Sequence, residues 1–198
     1  MLLDMEVISS ISEEEGQFLI KLARKSIEYY LTYRSILPIR ESDIPFDNLK
    51  KKGASFLTIE TKHGNLRGCI GSIIPYRPLY EDVIHNAVSA AVSDLRFPPL
   101  TLEELPNVKI KVSVLTYPQP LIYKDWKYLL DKLKPFEDGV IIKYKNHSAT
   151  FLPDVWEDIP AKELFLSHLC LKAGLPPDFW KKRLLEVYTY KTIRFSEQ

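Results

Sequence analysis

The spacing of apolar residues changes period several times along the chain, and each change marks an element. Phe18, Leu19, Leu22, Ser26, Ile27 and Tyr30 recur at helical spacing behind a Ser12/Glu15 capping box, which predicts a helix over residues 13–33. Pro38 and Pro45 flank an aperiodic stretch, Leu37 to Asn48, read as an irregular loop placed to lie over a cleft. Ala54 to Glu60 alternates, His63-Gly64-Asn65 supplies turn chemistry, and a second strand follows through Ser72, so a hairpin is expected. From Leu79 the stripe Tyr80, Val83, Ile84, Ala87, Val88 and Ala91 predicts a helix closing near Asp94, with Ala87, Ala90 and Ala91 small enough to let it sit close to a sheet.

Arg96-Phe97-Pro98-Pro99-Leu100 cannot prolong that helix, because adjacent prolines remove donors and restrict the residue before them. A stiff extended connector is expected, followed by a strand over Val108 to Tyr117 with Val108, Ile110, Val112 and Val114 on one face. Trp126 to Leu133 reads as a short helix, and Gly139 to Tyr144 with Ala149 to Leu152 as a hairpin around an Asn146-His147 turn. Pro160 and Gly174 bracket a helix with Phe165, Leu169 and Cys170 inward. A short helix around Phe179 and Trp180 and one final strand from Leu184 to Phe195 complete the chain. Hairpins mixed with helices, without a βαβα rhythm, predict an α+β fold whose mainly antiparallel sheet is covered by helices on one side.

Composition removes whole classes of function. At 198 residues and formal charge +1 the chain can bury a sizeable core but has no global field to recruit nucleic acid or a membrane surface. The basic runs Lys50-Lys51-Lys52 and Lys181-Lys182-Arg183 lack interleaved aromatics and read as solvated faces. Met1 to Glu6 carries an acid where a signal peptide is basic, and no apolar run is long enough for a bilayer, so a soluble cytoplasmic protein without a membrane partner is expected. Two cysteines make no disulfide framework or zinc spacing, and His63, His85, His147 and His168 show no paired metal spacing. His63 and His147 are read as turn residues and His168 as facing water; His85 would either approach the site or face water. Phosphate-binding GxxxxGK[ST], dinucleotide GxGxxG and GxSxG patterns are absent, which argues against the common ATP, NAD and serine-hydrolase classes and leaves any cofactor unnamed.

Candidate chemistry concentrates in Asn65-Leu66-Arg67-Gly68-Cys69-Ile70-Gly71-Ser72. Strand alternation would put Arg67 and Cys69 on one face and Leu66 and Ile70 on the other. Gly68 and Gly71 predict a bulge or the close approach of another backbone or a ligand. Cys69 is either a thiol activated by a nearby guanidinium or a small buried hydrophobe. Arg67 either binds an anion or pairs with a structural acid, and Asp94 and Arg96 either extend that anion site or form a local ion pair. Gly68, Gly71, Ser72, Asp94 and Arg96 are the candidate substrate-binding residues, with Cys69 and Arg67 as the candidate catalytic pair.

Leu66-Arg67-Gly68-Cys69-Ile70-Gly71 also resembles the signature hexapeptide of the AMMECR family, named for the chromosomal region of Alport syndrome, midface hypoplasia and elliptocytosis. The resemblance continues through Pro78-Leu79, Ala90-Ala91, Asp94, Arg96 to Leu100, Ser113-Val114-Leu115, Phe151-Leu152-Pro153 with Val155-Trp156, and Leu169-Cys170 with Lys172 to Leu175. It covers about residues 15–195, so residues 1–198 are read as a single domain of this type, with Leu95 departing from a proline often found there. The resemblance implies a mixed α+β domain with a smaller lobe and a cleft near the signature, but no established reaction. It further implies a pathway shared with Memo-type and radical SAM proteins, which are the expected partners. Two functions follow: an enzyme acting through Cys69 on a small anionic or modified substrate, or a non-catalytic adaptor for those partners.

Overall fold

A computed structural model describes residues 10–197, and the Met1–Glu6 stretch considered above lies outside the described residues. The chain divides into two compact units, one running to Tyr117 and resuming at Ile193, the other spanning Pro118–Thr192. In chain order the elements are α1 (Glu13–Tyr33), β1 (Lys52–Thr61), β2 (Leu66–Gly71), β3 (Arg77–Pro78), α2 (Leu79–Val92) and β4 (Val108–Leu115). These are followed by β5 (Gln119–Pro120), α3 (Trp126–Lys132), β6 (Gly139–Tyr144), β7 (His147–Phe151), α4 (Val155–Asp158), α5 (Lys162–Lys172), α6 (Phe179–Lys182), β8 (Glu186–Tyr190) and β9 (Thr192–Ser196). The fold is α+β, as the pattern predicts.

In the first unit the sheet order is β2-β1-β4-β9, with β3 also pairing on β1. The ladders β1–β2 and β1–β4 are antiparallel, so β2 is an edge strand. Leu57 and Ile59 of β1 and Ile110, Val112 and Val114 of β4 are buried in one core with Leu19, Ala23 and Ile27 of α1 and Val83, Ala87 and Ala90 of α2. Each large aliphatic side chain removed from water there contributes about 1.5–3 kcal/mol. The capping box that begins α1 is formed: Ser12 accepts from the Glu15 amide and Glu15 accepts from the Ser12 amide. The 37–48 loop is irregular apart from two single 3-10 turns at Glu41–Asp43 and within Asp47–Lys50.

The second unit has its own sheet, β5-β8-β6-β7, and its own core. Trp156 stacks on Phe165 with centroids 3.6 Å apart and donates its indole N–H to the Asp138 carbonyl at 2.7 Å. Cys170 is fully buried beside them on α5, which ends at Gly174 with φ +76. Glycine takes that left-handed position without the Cβ clash other residues meet.

Two details differ from the pattern. The expected single strand over 184–195 is two strands, β8 paired with β6 and β9 beside β4. Tyr190 is buried in the second unit and Phe195 in the core of the first, so the chain changes sheets between them. The β6–β7 turn lies at Lys145-Asn146, with Lys145 at φ 51, and His147 opens β7. The His147 Nδ1 lies 2.8 Å from the Ala173 carbonyl. β3, β5 and α4 are too short for periodicity to reveal.

Helix α2 lies directly on β2. A methyl group added at Gly68 would stand 2.2 Å from the Ala90 carbonyl oxygen, which is backbone and has no rotamer by which to retreat. Gly68→Ala is therefore expected to destabilise the protein by about 1–3 kcal/mol, the range for overpacking a close-packed contact. Urea unfolding measures this, and an unchanged midpoint would contradict the close approach.

Candidate functional site

The candidate residues sit on and around the free edge of β2. Its register against β1 pairs Thr58 with Cys69 and Ile59 with Gly68, then jumps to Glu60 with Leu66. Arg67 is thus the extra residue of a β-bulge, a device that re-aims side chains at sheet edges. The bulge changes the simple alternation: the pairing places Leu66 on the Cys69 face, where it is 41% exposed, while Ile70 packs against the core.

Arg67 is wholly engaged. Its Nη1 donates to the Pro98 carbonyl at 2.9 Å, and Nε and Nη2 donate to the Glu104 carboxylate at 3.2 Å. Glu104 also accepts the Thr101 amide at 3.0 Å. The guanidinium therefore fastens the 98–104 connector to the strand, and its side chain is only 12% exposed.

Cys69 is half-buried, and its Sγ lies 3.4 Å from the Thr58 hydroxyl. Because β2 is an edge, the backbone N–H and C=O of Cys69 point away from β1. The N–H donates to Asp94 Oδ2 at 2.9 Å and the C=O accepts from Arg96 Nη2 at 3.3 Å. Asp94 and Arg96 are joined by Nε to Oδ1 at 2.9 Å and Nη2 to Oδ2 at 2.7 Å, so an ion pair occupies the place of a neighbouring strand. The pair sits on a turn closed by the Phe97 amide and the Asp94 carbonyl, which forms with Leu95, not proline, at its tip. Asp94 is buried, with its side chain 7% exposed, whereas that of Arg96 is 58% exposed. Among the described residues nothing accepts a hydrogen bond from Arg96 Nη1.

Gly68 is filled by the α2 backbone, and Gly71 lies under the Phe56 ring, 2.3 Å from where a Cβ would stand. Ser72 belongs to a second cluster that sequence reasoning missed. The buried Asp82 carboxylate accepts from the Ser55 amide and hydroxyl at 2.8 and 2.7 Å, Ser72 Oγ at 2.8 Å, Arg77 Nε at 2.9 Å and Asn86 Nδ2 at 2.9 Å. Asp82 and Asn86, one turn apart on the buried face of α2, were the available signal: polar residues interrupting an apolar stripe. His63 is in the β1–β2 turn, and His85 and His168 are exposed. Among the described residues no group of three or more His, Cys, Asp or Glu side chains could hold a metal ion, and no helix is long and apolar enough to cross a membrane.

Comparison with known proteins places these features in context. A family model described as AMMECR1 matches residues 20–195. A protein of Thermofilum pendens is 41% identical over 94% of this chain and 92% of its own length. Protein NEQ441 of Nanoarchaeum equitans is 43% identical over 90% of this chain and 98% of its own. The crystal structure of uncharacterized protein PH0010 from Pyrococcus horikoshii superposes with a TM-score of 0.85 at 37% identity, covering 95% of this chain and 94% of that one.

The Arg96 guanidinium beside Asp94 holds its carboxyl well below the usual carboxylate range, with the Cys69 amide helping. A carboxyl whose folded pKa is depressed stabilises the fold fully above its unfolded value of about 4, and that contribution fades as pH falls through the lower folded value. Asp94→Asn is expected to lower stability at neutral pH by about 1–3 kcal/mol, the range for a hydrogen-bonded charged group. The gap from the parent should narrow as pH falls below about 4, where the carboxyl protonates in the unfolded parent while the folded one stays ionised, and close only as pH reaches the depressed folded value. Urea titrations at pH 7 and pH 3 check both; a gap equal at the two pH values would remove Asp94 ionisation from the account.

Proposed function

The chain belongs to the AMMECR1 family, and we propose that it is an enzyme whose working group is the Cys69 thiol, acting on a small anionic or modified substrate at the edge of β2. The observation that carries this reading is the Asp94–Arg96 clamp. It fixes the Cys69 backbone through both of its outward polar groups yet leaves the Arg96 guanidinium more than half exposed. Cys69 supplies the nucleophilic or redox thiol, and Arg96 offers its Nη1 donors to an anionic group on the substrate. Asp94 orients Arg96. Arg67, with its donors committed to Glu104 and Pro98, acts as a positioning residue that holds the connector against the strand.

One observation favours the adaptor reading. The turn tethered near Arg67 presents Leu95 fully exposed, and an apolar side chain on a fixed turn suits a docking contact better than a catalytic one. The partners would be the Memo-type and radical SAM proteins that the family resemblance implies.

The two alkylating agents iodoacetate and iodoacetamide differ in charge and so separate anion steering from simple access. Cys69 should react faster than Cys170, which is fully buried and whose thiol pKa is pushed up by that burial. The preference of Cys69 for iodoacetate should exceed that of a free thiol, fall about threefold or more in Arg96→Gln, and survive in part in Arg96→Lys. Equal preferences in all three proteins would remove Arg96 from the site, and a Cys69 as slow as Cys170 would remove the thiol. For the adaptor reading, Arg67→Ala frees the connector and should abolish capture of purified Memo-type or radical SAM partners; undiminished capture would argue against this surface.

A further inference from the structure

The first unit carries a cavity of about 490 Å³ between α1, the β1–β2 turn and the start of β4, lined by Lys21, Arg24, Lys62, Pro106, Lys109 and Glu197 among others. In its lining Arg24 is anchored to the backbone, Nη1 donating to the Leu105 carbonyl at 3.0 Å and Nη2 to the Val108 carbonyl at 2.9 Å. The guanidinium also grips both carboxylate oxygens of Glu197, and the Ile110 amide donates to the same carboxylate at 2.8 Å. A preset guanidinium edge and a backbone N–H therefore already form an oxyanion receptor, and the chain's own Glu197 fills it.

The remaining charge is unbalanced. Lys62 bonds the neutral amide of Asn107 at 2.9 Å, not a carboxylate. Lys21 and Lys109 have no carboxylate partner among the described residues. Among the described residues Glu197 is the one acid lining the cavity; of the acids outside it, Glu60, opposite Lys109 in the ladder, pairs with Lys111, Glu13 accepts from the neutral Gln17 amide, and Glu28 lies one turn along α1 from Arg24. Three ammonium groups from three separate elements thus meet one concavity after Arg24 and Glu197 cancel, and a concave surface of one sign focuses its field on an entering counter-ion. A single carboxylate would neutralise only one of them. A phosphate carries more charge on a comparable centre and has acceptors for several lysines at once. The space is of the size that holds a nucleotide-sized molecule, and Ile20, Val108 and Pro106 supply apolar wall for its uncharged part.

We propose that this cavity binds a phosphorylated small molecule, its phosphate held by Lys21 and Lys62 with Lys109 reinforcing the field, beside the Arg24–Glu197 pair. The site is separate from Cys69 and stands or falls independently of any chemistry there. The test is calorimetric titration of the full chain with inorganic pyrophosphate at low ionic strength. One saturable site is expected, weakened about tenfold or more by Lys21→Glu with Lys62→Glu, the direction that reversing two contacting charges dictates. Lys182→Glu, which alters a lysine paired with Asp178 in the second unit, should leave the affinity unchanged. If the double charge reversal unfolds the chain, Lys21→Gln with Lys62→Gln gives the same reading. No saturable binding, equal weakening by Lys182→Glu, or succinate binding as tightly as pyrophosphate would each overturn the assignment.

Discussion

The Ala90 carbonyl of α2 occupies the space where Gly68 has no side chain, and the arrangement of the candidate site depends on that contact. Because the helix lies this close, its end at Val92 delivers Asp94 to the open edge of β2, within 2.9 Å of the Cys69 amide. The alanines along α2 serve the same end from the other side of the contact. A larger residue on either surface would lift the helix, and the turn carrying Asp94 and Arg96 would leave the strand with it. The edge of β2 would then present unpaired backbone groups, the condition under which exposed strands recruit other chains.

Near the beginning of α2 a second constraint acts on the same strand pair. An ionised carboxylate removed from water costs several kcal/mol unless its lone pairs are met, and Asp82 is met by donors from β1, from Ser72, from Arg77 and from its own helix. The helix is therefore pinned to the sheet by one acid near each end, Asp82 holding the exit of β2 and Asp94 its middle. This division separates residues that had looked like one site. Ser72 is spent on the buried carboxylate, whereas Cys69, Asp94 and Arg96 share hydrogen bonds at the edge.

The sequence made legible whatever is decided within a few residues. The capping box and stripe of α1, the small-residue face of α2 and the alternating strand β4 are local patterns, and each forms where the pattern places it. The bulge at Arg67 was legible only as one of two alternatives that Gly68 and Gly71 left open, because a bulge exists only relative to a partner strand. The split between β8 and β9 escaped for a related reason, since the composition of one extended segment does not say which sheet receives each half. The Asp82 cluster joins residues up to 31 positions apart, a separation no period can register. Of the candidate site, the adjacency of Cys69, Asp94 and Arg96 was legible, whereas the division of labour that commits Ser72 to Asp82 and Arg67 to Glu104 and Pro98 was not.

That division is clearest in the two arginines. In the sequence Arg67 is the candidate partner of the thiol and Arg96 a candidate substrate-binding cation that could join it in one anion site. In the fold the first uses its guanidinium to join a carbonyl and a carboxylate of the connector and is nearly buried, while the second is oriented by Asp94 and more than half exposed. An arginine whose donors are consumed can hold structure but has nothing left for a ligand; one with an outward Nη1 retains direction and donors. Since Asp94 already offsets the charge of Arg96, attraction at the β2 edge rests on short-range hydrogen-bond geometry more than on a long-range field. At the Lys21 and Lys62 cavity the balance is reversed, with excess charge and little fixed geometry. On the two proposals the places on the first unit would suit different anions: one small and oriented against a thiol, the other highly charged and gathered from a distance.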